Sequence, residues 1–277
     1  MAKRLLSLWG LYARMDWKYI TQDPFTACVT VLCELVQGLA GLAGTALVAV
    51  RFGGVGALSA PEVLVLLAFH LFSQGLETLL FGGSNVISIS RRIGRAQMDH
   101  TVVQPIPLWM QLLTEGFMPF SGCEKLLCGV AALWLFVPGA GIAVTPGWML
   151  LLCVLTLSRV AIHIALAYIA GSAAFYSPVG CEEFSDVALS LADVVAEYPL
   201  SGMPRWLVGT LLTVLPLGAL TYLPALILLG KVSAAFSAWP VLLALVLASL
   251  AQRLFQKGWK HYVNVGCARY KSMGHRS

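Results

Sequence analysis

The chain has 277 residues, 58% hydrophobic and only 11% charged, with a formal net charge of +5 and a mean hydropathy of +0.81. Soluble domains carry about 25% charged residues, so the composition excludes an ordinary water-soluble protein and points to an all-α polytopic membrane protein. The length accommodates roughly six apolar spans of about 20 residues in one membrane domain over 1–277, and the positive charge sits beside the spans as topology requires, which argues against nucleic acid as a partner.

Residues 1–20 lack the apolar core and small-residue cleavage site of a secretory signal. Leu5, Leu8, Tyr12, Met15 and Tyr19 recur at helical spacing, with Lys3, Ser7, Arg14 and Lys18 on another face and Trp9 and Trp17 on the flanks. This pattern predicts an amphipathic helix lying in the headgroup layer. Asp23-Pro24 is a helix start, and the first span is expected over 24–50, where Gly38, Gly41 and Gly44 form a small-residue track open to close approach by another helix. Phe52-Gly53-Gly54 predicts a turn, and Ser59-Ala60-Pro61 opens a second span over 60–88.

A polar segment over 89–104 follows, with Arg91, Arg92, Gly94, Arg95, Asp99 and His100, then Pro105 and Pro107. Lipid anchoring alone would explain the arginines. It would not explain the glycine, the acid and the spaced prolines, which suit a segment shaped to dock a soluble partner. The third span is expected over 107–137, followed by an uncharged loop bracketed by Pro138-Gly139 and Pro146-Gly147, and the fourth over 147–176. Residues 183–200 read as a helix carrying Asp186, Asp193 and Glu197. Pro199, Pro204, Pro216 and Pro224 then predict broken or re-entrant helices over 199–235, which lipid tolerates only where protein or a wet cavity covers them. Either 183–200 or 206–230 supplies the fifth crossing; the last span is expected over 238–258, closed by the basic and aromatic stretch Gln256–Tyr262. Lys and Arg concentrate at the N-terminus, in 89–104 and in the C-terminal tail, so these three regions are expected in the cytoplasm, with an even number of crossings.

Signatures of catalysis are scarce. The sequence has no phosphate-binding loop, nucleophile elbow or paired-histidine zinc motif. Seven cysteines without a C-x-x-C pair read as free thiols, and no metal site is expected. A charge inside a span costs several kcal/mol unless paired or wet, which singles out Glu34, Glu77, Glu115, Arg159, Asp193 and Glu197. Of these, Glu77, Arg159, Asp193 and Glu197 are candidates for a translocation path or an intramembrane polar site; an interface ion pair is the competing reading. His70 in the second span is expected to make an interhelical hydrogen bond.

The stretch Arg91–Phe117, "RRIGRAQMDHTVVQPIPLWMQLLTEGF", resembles the cytoplasmic segment of ABC-2-type transporter permeases. The stretch Ala196–Gly230, with Tyr-Pro-Leu-Ser before spaced prolines, resembles a second signature of one branch of that family, and Lys257–Gly266 resembles its ending. The matches fall in order along nearly the whole chain. Relatives often have a Phe-Trp pair after the fourth span, where this chain has Phe175-Tyr176.

The resemblance implies a non-enzymatic permease in the cell membrane, most often of an exporter. Two separate ATP-binding subunits would dock on it and carry the ATP and magnesium, so that this chain itself binds no cofactor. A second permease, identical or paralogous, would pair with it in the lipid. It also implies that 89–104 is a coupling helix in which Arg91, Arg92, Gly94, Arg95, Asp99 and His100 contact the ATPase, that 1–20 is an interfacial helix, and that 199–235 closes the outer side. Two other classes remain open on the residues alone: an ion- or proton-coupled carrier using Glu77, Arg159, Asp193 or Glu197, and a lipid-modifying enzyme using Glu182, Glu183 and Asp186.

Overall fold

The computed structural model describes residues 2–82, 89–95 and 97–265. Residues 83–88, the tail cations Arg269, Lys271 and Arg276, and the side chains of Lys3, Arg4, Asp99 and Glu182 lie outside the described residues, as do the surroundings of Gly41. In chain order the helices are α1 (Ala2–Gln22), α2 (Pro24–Phe52), α3 (Ala60–Phe81), α4 (Ile89–Gly94), α5 (Met98–Val102), α6 (Leu108–Thr114), α7 (Glu124–Gly139), α8 (Pro146–Ser172), α9 (Pro178–Glu197), α10 (Arg205–Thr213), α11 (Tyr222–Leu228) and α12 (Ala238–Val265). A two-stranded antiparallel ribbon, β1 (Gly54–Val55) with β2 (Leu58–Ser59), joins α2 to α3.

The helix starts follow local chemistry. Asp23 accepts a hydrogen bond from the Thr26 amide at 3.1 Å and so caps α2, with Pro24 in the first turn where its missing N–H costs nothing. Ser59 and Glu62 form a capping box at α3, and the Thr145 hydroxyl caps α8 through the Trp148 amide. Gly53 ends α2 in the left-handed conformation at φ 75°.

Four helical segments are long and apolar enough to cross a membrane: Pro24–Phe52, Ala60–Phe81, Pro146–Phe175 and Ala234–Val265. A fifth is possible if Arg205–Thr213 and Pro216–Leu228, bent by 74° at their break, count together. The described residues thus hold four or five such spans rather than six. The expected third span over 107–137 accounts for the difference. α6 stops at Thr114 and α7 starts only at Glu124, leaving α7 with 16 residues. Pro119 lies in the connector and has no amide hydrogen for a helix ladder. The connector also turns back onto the end of α3: the Met118 amide donates to Leu79 O at 3.1 Å, and a Cβ on Gly116 would sit 2.1 Å from Phe81 O.

The bundle is organised around α3. α3 and α7 run antiparallel and nearly touch at their backbones. A Cβ on Gly75 would lie 2.2 Å from the Leu126 amide nitrogen, and one on Gly129 would lie 2.3 Å from the Phe72 Cα. Two helices can approach this closely only where a glycine replaces a side chain. Among the described residues of the expected track in α2 no such contact is made: a Cβ on Gly44 would meet nothing within 4 Å, and one on Gly38 would meet only the side chain of Lys125. On its other side α3 runs parallel to α8, and α8 parallel to α12. Early residues Phe69 and Leu155 share one core cluster with Leu223, Ile227 and Leu228 of α11, while later residues Tyr168 and Phe175 share another with Phe255 of α12.

The two ends of the bundle differ. At one, Lys231 pairs with Glu62 at 2.7 Å, Ser201 donates to Val55 O at 2.8 Å, and Trp148 Nε1 donates to Leu228 O at 3.0 Å, so the ribbon and the proline-rich segment cover one another. At the other lie α4, α5 and the α6–α7 connector, gripped by α1. Asp16, 8% exposed, accepts hydrogen bonds from the Phe120 and Ser121 amides at 2.8 and 3.1 Å and from the Ser121 hydroxyl at 2.5 Å. Trp9 stacks on Phe117 and Trp17 meets Phe120 edge-on, with ring centroids 5.4 and 5.2 Å apart. The inward face of α1 is therefore Leu5, Leu8, Trp9, Tyr12, Asp16 and Ile20, while Met15 and Tyr19, expected on the apolar side, point outward at 55% and 41% exposure. The cause is an acid on the packed face, held there by connector amides.

Replacing Gly129 with Ala should lower the melting temperature of the purified chain in detergent, because overpacking a close contact costs about 1–3 kcal/mol. Gly44→Ala has open space around it and should leave the temperature unchanged or raise it slightly, by at most about 1 kcal/mol of helix propensity.

Candidate functional site

Two clusters of polar residues stand out. The first is at the basic end. α4 and α5 are short helices whose apolar side chains are buried: Ile89, Ile93 and Met98 lie in one core cluster with Leu108 and Leu112 of α6, Tyr168 of α8, Phe175 beyond it, Cys181 of α9 and Phe255 of α12. Gly94 is also buried. Arg91, Arg95 and His100 are exposed on the opposite side. Arg92 is different: its guanidinium pairs with the Glu115 carboxylate at the end of α6, and Gln111 Nε2 donates to the other oxygen of Glu115 at 3.1 Å. Tyr12 of α1 is near this pair. Burial and the Glu115 charge hold its phenol above the usual range, and Arg92 pulls it partly back. Of the six residues expected in a docking segment, three form an exposed face, one is buried backbone and one is tied down internally; the side chain of Asp99 lies outside the described residues.

The second cluster lies inside the bundle. Arg159, 0% exposed on α8, donates from Nη1 to Glu77 Oε2 of α3 at 2.6 Å. One turn along α8, His163 Nδ1 donates to Glu77 Oε1 at 2.5 Å, and its Nε2 lies 3.4 Å from Asp193 Oδ1 of α9. Three helices are thereby joined by alternating charges. Three of the four expected intramembrane groups, Glu77, Arg159 and Asp193, meet in one place, whereas Glu197, one turn further along α9, is not a member of the network. His163 was missed in the sequence. The available signal was its i+4 spacing from Arg159, which puts both on one face of α8. Glu34, named as a suspect with these groups, takes no part either.

The α3 face that carries Glu77 continues to Ser73 and His70. His70, 1% exposed, pairs through Nδ1 with the Thr221 hydroxyl of the broken segment at 3.2 Å, the interhelical bond expected of it. Arg159 Nε and Nη2, Thr156 Oγ1 and His70 Nε2 are buried without a partner among the described residues. A cation this deep persists only because Glu77 faces it. Chemically the cluster can hold charge and protons between helices. It contains no nucleophile with a matching base.

Neutralising one partner exposes the other. Glu77→Gln should destabilise the chain by about 3–5 kcal/mol, since it strands the Arg159 charge in an apolar interior. The double change Glu77→Leu with Arg159→Met should recover most of that loss. Thermal unfolding followed by intrinsic fluorescence in one detergent measures both.

An all-helical bundle with four or five long apolar helices agrees with the membrane protein that the sequence motifs implied. Residues 36–266 match the family described as ABC-2 family transporter protein. No curated protein and no solved structure matches the chain. The match covers well over half of the sequence, from within α2 to the end of α12, and includes residues 89–104 and the proline-rich region. The chain therefore belongs to the ABC-2 family of transporter proteins: it is a membrane permease component of an ABC transporter, of a family that works with an ATP-binding partner and is typically not itself catalytic.

Proposed function

We propose that the chain is the transmembrane subunit of an ABC exporter, worked by two ATP-binding subunits that grip α4 and α5 from the cytoplasm. ATP and magnesium belong to those subunits, and a second permease, of the same or a related sequence, completes the membrane part. The observation that supports this most strongly is the two-sidedness of α4 and α5. Arg91, Arg95 and His100 face outward, while Ile89, Ile93 and Met98 are packed among residues of α6, α8, α9 and α12. A force on the outer side cannot be absorbed locally, because the inner side is part of the core.

Arg92 then has a positioning role. Its ion pair with Glu115 ties α4 to the end of α6, and the Asp16 anchor ties α1 to the connector just beyond. Docking energy would be converted into motion if the ATPase bound two arrangements of this assembly with different affinity. The distribution of Lys and Arg supports cytoplasmic termini. α6 and α7 together would supply a third, broken crossing and bring the number of crossings to six. The 74° bend between α10 and the segment ending in α11, at the end away from α4, supports an outer re-entrant closure. The export direction is supported by the resemblance of the motifs to exporting members.

A second reading rests on the Glu77, Arg159, His163 and Asp193 network, which has the makings of a proton-coupled carrier. Transport that persists in ATP-depleted vesicles under a proton gradient would favour it over the ATP-driven reading.

In a reconstituted complex with the ATPase, the triple change Arg91→Ala, Arg95→Ala and Asp99→Ala should reduce permease-stimulated ATP hydrolysis by about tenfold or more, as expected when charged contacts at an interface are truncated. The ATPase alone should hydrolyse at its basal rate. Full stimulation by the triple variant would refute the coupling assignment.

A further inference from the structure

A cavity of about 760 Å3 runs between α3, α6, α8 and α12, on the side of α8 away from the ionic network. This volume falls within the ~300–1,000 Å3 of sites that hold small molecules. The hollow exists because its facing positions on α8 and α12 are small: Ala161 and Ala165 on one, Ala248 and Ala251 on the other. Its mouth is open, with Leu157, 61% exposed, and Ala248, Gln252 and Gln256 all exposed.

The cavity has a direction. The end away from the basic side is aliphatic, around Leu157 and Ala248. Towards the basic end it becomes amphipathic, where Trp109, Tyr168, Gln252 and Gln256 gather. The Tyr168 hydroxyl is spent on Trp109 O at 2.6 Å, which closes the floor there. Gln252 and Gln256 are one turn apart, and the next residue in that row is Lys260, exposed beside Lys257. From Leu157 to Tyr168 the helix rises roughly 16 Å at about 1.5 Å per residue. One leaflet of hydrocarbon is about 15 Å deep, half of the ~30 Å core.

We propose that this groove is a binding site for an anionic phospholipid, with one acyl chain between α8 and α12 and the headgroup phosphate at Gln256 and Lys260. Three independent features select that occupant over a generic apolar surface: a length equal to one leaflet, a gradient from aliphatic to polar along it, and cations at the polar end only. The site opens sideways into the solvent that supplies the ligand. Naming the leaflet as cytoplasmic rests on the orientation proposed above; the binding itself does not.

The test uses the full chain in phosphatidylcholine nanodiscs containing a minor fraction of phosphatidylglycerol with a photoreactive group near the acyl terminus. Adducts are mapped by peptide mass spectrometry. The expected result is labelling concentrated on residues 157–161 and 248–252, displaced by unlabelled phosphatidylglycerol and not by phosphatidylcholine. Ala248→Trp, which fills the mouth, should reduce it by about tenfold. Lys260→Ala, an exposed change that leaves packing untouched, should abolish the preference for the anionic lipid. Labelling spread evenly over lipid-facing positions such as Leu47 and Val48 of α2 would overturn the proposal. So would equal competition by phosphatidylcholine, or efficient disulfide formation between Ala248→Cys chains, which would place a second copy in the groove. None of these readouts involves nucleotide hydrolysis, so failure here leaves the coupling assignment standing.

Discussion

In lipid, apolar helices gain little by exchanging their solvent for one another, so contact must come from close packing or from polar groups that lipid cannot satisfy. α3 uses both. One side of it carries Gly75 and receives Gly129 of α7 at Phe72, bringing two backbones together. The other side carries Glu77, which Arg159 and His163 of α8 both reach. α7 and α8 are thus held to a single helix by two different mechanisms, and α9 is tied on through the His163–Asp193 contact. Removing either leaves apolar surfaces with no strong reason to prefer each other over acyl chains.

The same helix leads from the ionic network to the basic end. Gly116 packs on the backbone of Phe81 and Gly82, at the point where α3 stops and the α6–α7 connector turns. That connector is held by Asp16, Trp9 and Trp17 of α1, and α6 is held to α4 by Glu115 and Arg92. A displacement of α4 therefore has two rigid routes: through Ile89, Ile93 and Met98 into the ends of α8 and α12, and through Glu115 into the connector against α3. In the permease mechanism proposed here, the Glu77 network is the contact between α3, α8 and α9 that those routes load.

Legibility differed by the range of the interaction. The class of protein was readable because a lipid solvent constrains every residue of a span. Helix starts at Asp23, Ser59 and Thr145 were readable or nearly so because a cap and its amide lie three residues apart. His70 was expected to bond across helices and does, although its partner Thr221 had no signal in the sequence. The third span was expected as one helix because its composition is mostly apolar; Pro119 and the docking of Gly116 onto α3 explain why it breaks. The glycine track in α2 is a different case: among the described residues Gly38 and Gly44 meet no neighbouring backbone. A small residue permits close approach, but whether another helix arrives depends on the neighbour's surface.

Composition and motif spacing were enough to establish a lipid-embedded helical permease, its charged ends and its polar segment over 89–104, together with the identity of most groups too costly to leave unpaired in lipid. Which of those groups pair was set by the packing of the helices alone. Glu77 finds Arg159 and His163 at separations of 82 and 86 residues, and Asp16 finds Ser121 at 105. Such contacts leave no local pattern, because each partner's own helix is equally stable whichever way its side chain faces; the choice is made when the helices pack.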